Sequence, residues 1–423
     1  MKHIEIPLIK DRDRVYRVFE SVPGMLTWSV LALPVILSFI APRLAAYFII
    51  IYLLLWFFKT LLMNVRMAQG YRHLQRTMAI DWYSYAKQLD SPKATFRQYP
   101  EGISPHWHYR NMIRRQARHD SRAHLDELQH AIIIAVYNET PDVIEPTIQS
   151  VAQSNFPLKK LLVAFAVEER GGAVVHANVR RIAARYKKTF KDVRVVIHPK
   201  DIPNEVIGKG GNITYAGRWV NDYYKQQAIA AKNVVVTTLD ADNRPHPQYF
   251  AALSYAYLAC PDPIHASFQP IALFTNNIWD VPAPMRVIAT GNSFWNIVLA
   301  LRPHMIRNFA SHSQTLKTLQ DTDFWSVRTY VEDGHQYWRT YFRYNGKHDV
   351  HPMMVPIYQD AVLDVSYPKT LRAQFVQIRR WAWGASDVAN VLQKGWRTKN
   401  DVPKLDLFFK TTRLIEGHLS WAT

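Results

Sequence analysis

Val234-Val235-Val236-Thr237-Thr238-Leu239-Asp240-Ala241-Asp242 is a largely β-branched run that closes on two acids two positions apart. A run of this length, β-branched or apolar throughout and without polar residues at alternate positions, is what a strand covered on both faces looks like. Three similar runs lie upstream, at 131–136, 161–167 and 193–198. The first ends in Tyr137, Asn138 and Glu139; the second is followed by Glu168, Glu169 and Arg170. Helical stretches separate them: one opens at Thr140 and Pro141 and runs to about 154, one covers 174–188, and one follows a Gly-rich turn at 208–211 and runs to about 230. Strands alternating with helices predict an α/β fold, a mainly parallel sheet flanked by helices, with ligands beyond the carboxyl ends of the strands. That rule draws the turns at Glu139, Glu168, Lys209 and Asp240–Asp242 toward one crevice.

Composition sets the frame around this domain. The 423 residues accommodate one large catalytic domain with an appendage. A hydrophobic content of 48%, with thirteen Trp and twenty-two Tyr, excludes general disorder. The single Cys260 excludes a disulfide framework and a thiolate zinc site, and fits a reducing compartment. A net charge of +18 calls for an anionic partner: nucleic acid, an acidic membrane surface or a phosphorylated substrate. Much of the excess follows the N-terminal apolar region, at Arg66, Arg72, Arg76, Lys87, Lys93, Arg97, Arg110, Arg114, Arg115 and Arg118, where anionic lipid headgroups are one partner and plain solvation the other.

Residues 25–41 carry no charge, and a second apolar run covers 44–58 and continues past Lys59 to 63. Each is near the lower length that spans a bilayer, and Pro42 with Arg43 is the expected turn of a transmembrane hairpin. Lys2, Lys10, Arg12, Arg14 and Arg17 precede the pair, Arg66, Arg72 and Arg76 follow it, and the turn has only Arg43. The positive-inside rule then puts both ends, and everything after about 64, in the cytosol, as a multi-pass protein of the cell membrane.

Candidate chemistry concentrates at four places. Asp240 and Asp242 can reach one divalent cation, Mg²⁺ or Mn²⁺, which also bridges diphosphate oxygens; acids at strand ends are equally ordinary turn formers. Glu332 and Asp333 open a helix expected over 332–344, where a carboxylate serves either the helix dipole or as a general base. Gln377, Arg380 and Trp381 share a face of a helix-like stretch at 370–392; Arg neutralises diphosphate and Trp stacks on a sugar ring, and plain packing gives the same pattern. Gly208-Lys209-Gly210-Gly211 offers a lysine and backbone amides to phosphate without the spacing of a triphosphate loop.

Taken in order, Ala135-Val136-Tyr137-Asn138-Glu139, Lys209, Asp240-Ala241-Asp242, Val331-Glu332-Asp333 and Gln377-Ile378-Arg379-Arg380-Trp381 resemble the motif series of family 2 glycosyltransferases of the cellulose-synthase and hyaluronan-synthase type, over about 130–395. The resemblance implies a GT-A-type fold and an inverting mechanism. It implies that Asp240 and Asp242 bind nucleotide and metal, that Asp333 is the base with Glu332 in support, and that Gln377, Arg380 and Trp381 hold the donor diphosphate and the acceptor end. Lys209, Glu139 and Glu168 join the nucleotide-sugar-binding set. Glu168-Glu169-Arg170 stands where the family often has paired aspartates, and Val331 where a threonine commonly precedes the Glu-Asp pair.

The expected organisation is a cytosolic segment at 1–24, a hairpin at 25–63, basic juxtamembrane linker helices at 64–129, a GT-A-type domain at 130–365, and amphipathic interface helices at 366–423 leading toward a further membrane segment. The expected activity is transfer from a nucleotide-sugar, UDP-linked by the resemblance, to a growing polysaccharide. A non-processive transferase acting on a lipid or glycan acceptor is the alternative, and a basic membrane-attached nucleic-acid-binding protein is the remote one. Expected partners are the donor, a glycan or lipid-linked acceptor, membrane lipids and no nucleic acid. Two helices cannot enclose a polymer path, so a fragmentary chain or a membrane partner subunit is expected.

Overall fold

The structure is a computed structural model describing residues 4–99, 103–117 and 123–422; Lys2 and Arg118 of the basic segments lie outside the described residues. Helix α1 (Arg14–Ile40) starts on Asp13, whose carboxylate accepts the Tyr16 N–H at 2.8 Å and satisfies one of the donors a helix start leaves free. Helix α2 (Pro42–Met78) follows after Ala41 alone. The turn therefore falls one residue before the expected Pro42–Arg43. Proline's fixed φ and missing N–H suit the first position of a helix, so Pro42 begins α2. Both helices are long and apolar enough to cross a membrane: their most apolar 18-residue stretches have mean hydropathies of 1.8 and 2.0 and no buried residue.

Helix α2 does not stop at 63 but runs unbroken to Met78, and its far end is fastened to the rest of the chain. Leu74 is buried with Ile271, Ile297 and Ala300, and the Thr77 hydroxyl donates to the Met354 carbonyl. Helices α3 (Trp82–Asp90), α4 (Pro92–Gln98) and α5 (His106–Ala117) then fold back against the domain. Arg115, grouped by sequence with the lipid-facing bases, is buried here: it pairs with Asp90 at 3.0 Å and donates to the carbonyls of Leu258 and Ala123.

The sheet has eight strands, β1 (Gln129–Val136), β2 (Leu161–Glu168), β3 (Asp192–His198), β4 (Val234–Asp240), β5 (Arg244–Pro245), β6 (Ala266–Phe274), β7 (Ser313–Thr315) and β8 (Asp349–Gln359), in the order β3-β2-β1-β4-β7-β6-β8-β5. The first half is the parallel sheet the sequence predicts, with β1 between β2 and β4 and β3 outside β2. In the second half, β7 runs antiparallel to β4 and β6, β8 runs parallel to β6, and β5 runs antiparallel to β8. The whole is a mixed α/β sheet flanked by helices.

Alternation along the strands splits the core. Ile132, Ile134, Val163, Phe165, Val235 and Leu239 face a layer that includes α6 (Pro141–Ala152), α7 (Gly172–Tyr186) and α9 (Tyr249–Ala259). Ala131, Ile133, Ala164, Ala166, Val234 and Val236 face α8 (Lys209–Gln226) and α11 (Leu316–Asp321). The small alanines let α8 approach, with Ile213, Ala216 and Val220 lying over them. Helix α10 (Ala283–Ala300) packs on β6 and on the end of α2.

Helix α12 (Glu332–Arg343) precedes β8, and α13 (Tyr367–Ala382), α14 (Ser386–Leu392) and α15 (Lys404–Ala422) follow it. The stretch expected as one helix over 370–392 breaks into α13, a 3₁₀ turn at Trp383–Ala385 and α14. Leu371, Phe375 and Val376 of α13 and Leu405, Phe408 and Phe409 of α15 are exposed, which makes both helices amphipathic at the surface.

Candidate active site

The first turn of α8 organises the pocket. Residues 208–211, expected as a turn, are instead the entry into a helix, with Lys209 as its first residue. Gly210 is required by close approach: a Cβ there would run into the Ser326 carbonyl oxygen and lie 3.2 Å from Glu332 Cβ. A Cβ on Gly211 would sit 2.6 Å from Glu205 Oε2 and 3.1 Å from His198 Cε1. Asn212 donates to the Ala166 carbonyl at 2.8 Å, tying this turn to the end of β2. The two glycines thus let one helix start press against both halves of the site.

On one side the Lys209 ammonium lies 2.6 Å from Asp240 Oδ1 and 3.8 Å from Glu332 Oε1. Burial opposes its charge, yet Asp240, Glu332 and Asp333 more than offset that and hold it above the ordinary lysine range. Asp240, also desolvated, is held below the usual carboxylate range by Lys209 and, further off, Arg380. Glu332 is buried, and burial together with the neighbouring Asp333 pushes it up to about 7 despite Lys209. Asp333 is raised as well, by burial first and with Asp240 adding to it, while Lys209, the Gly334 N–H at 2.7 Å and Arg380 pull the other way. One lysine and one arginine therefore face three carboxyl groups, two of them protonating more easily than free acids.

Asp242 points elsewhere. Its Oδ2 accepts the Asp360 N–H at 3.1 Å, its Oδ1 accepts from Asn243 at 2.9 Å, and its carbonyl accepts from Asn276 at 3.0 Å. Burial, then the negative charges of Asp240 and Asp360, push Asp242 up to about 7. Asp360 Oδ1 is buried without a hydrogen-bond partner, and the Arg244 guanidinium is 3.9 Å away. Among the described residues no three His, Cys, Asp or Glu side chains already form a metal-ligand group. A divalent cation nevertheless fits this donor set: hard carboxylate oxygens, one lacking a partner and one kept near neutrality by its neighbours' charge, are what Mg²⁺ or Mn²⁺ would relieve.

On the other side of the α8 start, Glu168, Arg170, His198, Pro199, Asp201, Ile202, Glu205, Val206 and Ile207 line a cavity of about 210 Å³. His198 sits between Glu168 at 3.2 Å and Glu205 at 3.0 Å. Burial disfavours its cation, but these two carboxylates prevail and raise its pKa. Arg170 lies 3.4 Å from Glu168 and 3.1 Å from Asp201 at the rim.

Lys209, Asp240, Glu332 and Asp333 thus meet in one place, with Arg380 near enough to act on Asp240 and Asp333. Glu168 belongs to the adjoining cavity. Glu139 closes on its own turn, accepting the Tyr137 N–H at 2.7 Å, and that turn touches Gly171 beside the cavity. Gln377 accepts from Gln374 at 3.1 Å, and Trp381 packs against Phe274 with ring centroids 6.5 Å apart. The sequence reading did not single out His198, Glu205 or Asp360. The signal for Asp360 is the one that marks Asp240, an acid directly after a strand, but it requires recognising β8.

No family model matches the chain, and no curated protein matches it. Solved structures do. S. aureus TarS 1-349 in complex with UDP-GlcNAc is 12% identical over 70% of this chain and 73% of that one, with a TM-score of 0.43. The mannosyltransferase PcManGT from Pyrobaculum calidifontis, in complex with GDP-Man and Mn²⁺, is 15% identical over 81% of this chain and 97% of that one, with a TM-score of 0.40. GalNAc-T7 with UDP, GalNAc and Mn²⁺ is 9% identical over 57% and 46%, with a TM-score of 0.36.

Proposed function

We propose that the chain is a membrane-bound inverting glycosyltransferase of GT-A type that passes a sugar from a nucleotide-sugar to a growing polysaccharide. The observation that carries this is the meeting of Lys209, Asp240, Glu332 and Asp333 at the start of α8, the end of β4 and the start of α12, three separate parts of the chain. A single displacement at an anomeric carbon needs one carboxylate to take the acceptor proton and positive charge to steady the departing diphosphate. Asp333, at the mouth of α12 and raised in pKa, is the proton acceptor in this reading, and Glu332 behind it holds the negative charge in check by sharing protons.

Lys209 and Arg380 face the diphosphate, and Glu168 with His198 lines the pocket for the base. Mg²⁺ or Mn²⁺ would be held by Asp240 and Asp242, with Asp360 joining them, and when bound supplies charge for the diphosphate oxygens. Gln377 and Trp381, on α13 beside Arg380, lie on the acceptor side. The exposed apolar faces of α13 and α15 fit helices lying along the same bilayer that α1 and α2 cross, with the domain in the cytosol.

Screening UDP- and GDP-sugars with Mg²⁺ or Mn²⁺, followed by mass analysis of the product, tests the activity. A ladder of products supports polymer extension, a single added sugar supports transfer to a discrete acceptor, and no transfer from any donor refutes the reading. Labelling cysteines introduced at positions 43 and 93 tests the topology. Position 43 should react from outside the cell and 93 only from within; reaction of both from one side overturns the hairpin.

A further inference from the structure

The N-terminal segment ahead of α1 does not hang free: Ile4 and Ile6 are buried, and Glu5 between them enters the domain next to α12. Its two carboxylate oxygens go to different places. Oε1 accepts from the Ser326 hydroxyl at 2.5 Å, and Oε2 lies 3.3 Å from the Arg339 guanidinium. Ser326 is the residue whose carbonyl covers Gly210, next to Lys209. Arg339 sits on α12, six residues beyond Asp333, and also donates to the carbonyls of Thr322 and Phe324. The backbone around Glu5 is held too, by Lys394 on the Glu5 carbonyl at 2.9 Å and Arg328 on the Ile6 carbonyl at 3.1 Å.

Helix α12 needs such an anchor. Val331, at its N-cap, provides no side-chain hydrogen bond, so the first turn carrying Glu332 and Asp333 lacks a side-chain cap and is held by the Gly334 N–H on Asp333 and by Lys209 beside Glu332. Buried Arg339, about 9 Å further along the axis at 1.5 Å per residue, fixes the helix lengthwise. The fixing reaches the Lys209 turn through the second oxygen of the same carboxylate. A single half-buried acid from outside the domain, paired with the buried Arg339, therefore bridges the two walls of the pocket, and a charge-assisted bridge of this kind holds geometry as well as energy.

We propose that Glu5 is a positioning residue for Asp333, setting the distance between the α12 and α8 walls of the pocket; this rests on the reading of Asp333 as the proton acceptor. It touches neither donor nor acceptor and acts only through Ser326 and Arg339. A misplacement of about 1 Å at a reacting group costs on the order of 10²-fold in rate, so loss of the bridge should act on turnover rather than on nucleotide binding.

The test uses the full chain in membranes or detergent, with turnover and nucleotide affinity measured on the same preparation. Glu5→Gln keeps a group that can bond Ser326 but removes the charge facing Arg339. Turnover should fall by about tenfold to 10²-fold with nucleotide affinity unchanged within about twofold. In an Asp333→Asn background the same change should cost nothing further, which a merely structural role would not give. Unchanged turnover, a parallel loss of nucleotide affinity, or full additivity with Asp333→Asn overturns the proposal. If Glu5→Gln does not fold, Ser326→Ala removes one arm only and should lower turnover severalfold; wild-type turnover there overturns it. Failure of the enzymatic reading shows separately, as an unmodified protein inactive with every donor or an Asp333→Asn variant that is fully active.

Discussion

Replacing Lys209 with methionine keeps the aliphatic stem and removes the one lysine ammonium inside the carboxylate cluster. The ammonium is 3.8 Å from Glu332 Oε1, and both side chains are well buried, at 20% and 6% exposure. At an effective dielectric constant of about 20, a unit pair at that distance interacts by roughly 4 kcal/mol. The shorter contact, to Asp240, adds little, because that carboxylate is more than a third open to water, where screening removes most of such a gain. Proton uptake by the cluster and relaxation leave on the order of 1–3 kcal/mol for the carboxylates of α12, and 1.36 kcal/mol is one pKa unit. The sign follows directly. Lys209 favours the ionised forms of Glu332 and Asp333, so removing it raises pKa values that burial has already raised. The acid limb of kcat/KM, where the proton acceptor loses its free form, should therefore move toward higher pH by about one to two units. The measurement is a pH profile of kcat/KM between pH 5 and 9 at fixed cation concentration. A lower plateau with an unmoved limb would mean that Lys209 only binds donor. A limb moved to lower pH would refute the electrostatic account altogether.

Asp333→Asn should reduce sugar transfer by about 10²–10⁴-fold while nucleotide affinity stays near the unmodified level, and full activity would pass the role to Glu332. Asp242→Asn removes one of the charges gathered around the unpartnered Asp360 oxygen and should weaken the metal dependence of donor binding; unchanged dependence in a folded variant would move the cation elsewhere. Gly210→Ala should abolish transfer and lower the thermal midpoint, since its methyl meets the Ser326 carbonyl. Gly291→Ala at an exposed position of α10, with nothing within 4 Å, should instead be neutral or stabilising by up to about 1 kcal/mol. Donor affinity measured without added cation should improve as pH falls from 8 toward 6, because Glu332, pushed up to about 7, then takes up a proton and repels the diphosphate less; equilibrium binding across that range checks it, and weaker binding at pH 6 counts against it.

Half of the sheet, β1 to β4, was legible: β1, β2 and β4 are buried on both faces, so apolar residues occupy nearly every position, and β3 at the edge, half-buried, still reads by its valines and isoleucine. The other half hides its strands. β7 is Ser313, Gln314 and Thr315, fully buried yet polar, and it is tolerated because its side chains find partners sideways: Ser313 bonds Thr237 at 2.7 Å and Gln314 donates to Ser267 at 2.8 Å. β8 contains Pro352 and Pro356 and shifts register against β6 between Pro270 and Ile271, which spoils both the alternation and the propensity on which a strand is read. The antiparallel insertion that makes the sheet mixed was thus written in pairings between distant segments, and no window of the sequence contains them.

The same division runs through the site. Acids at the ends of apolar strands and at the start of a helix can be found from residue type and place, so Asp240, Asp242, Glu332 and Asp333 stood out. What they do to one another could not be found that way. Sequence spacing pairs Asp240 with Asp242, whereas the fold turns Asp240 toward Lys209 and Asp242 toward Asp360, because the turn after β4 is pinned between them by Asn243, which accepts from the Asp240 N–H at 3.0 Å and donates to Asp242 at 2.9 Å. That split has a chemical consequence. It gives Asp240 a lysine partner and, two residues on, sets Asp242 beside Asp360 in a corner where burial and neighbouring negative charge push Asp242 up to about 7. A diphosphate approaching the cluster alone meets net repulsion, while a diphosphate accompanied by a divalent cation finds a lysine for its oxygens and a carboxylate corner for the ion. On the proposed function, donor and cation are then coupled ligands of this site, each raising the affinity for the other by the same factor.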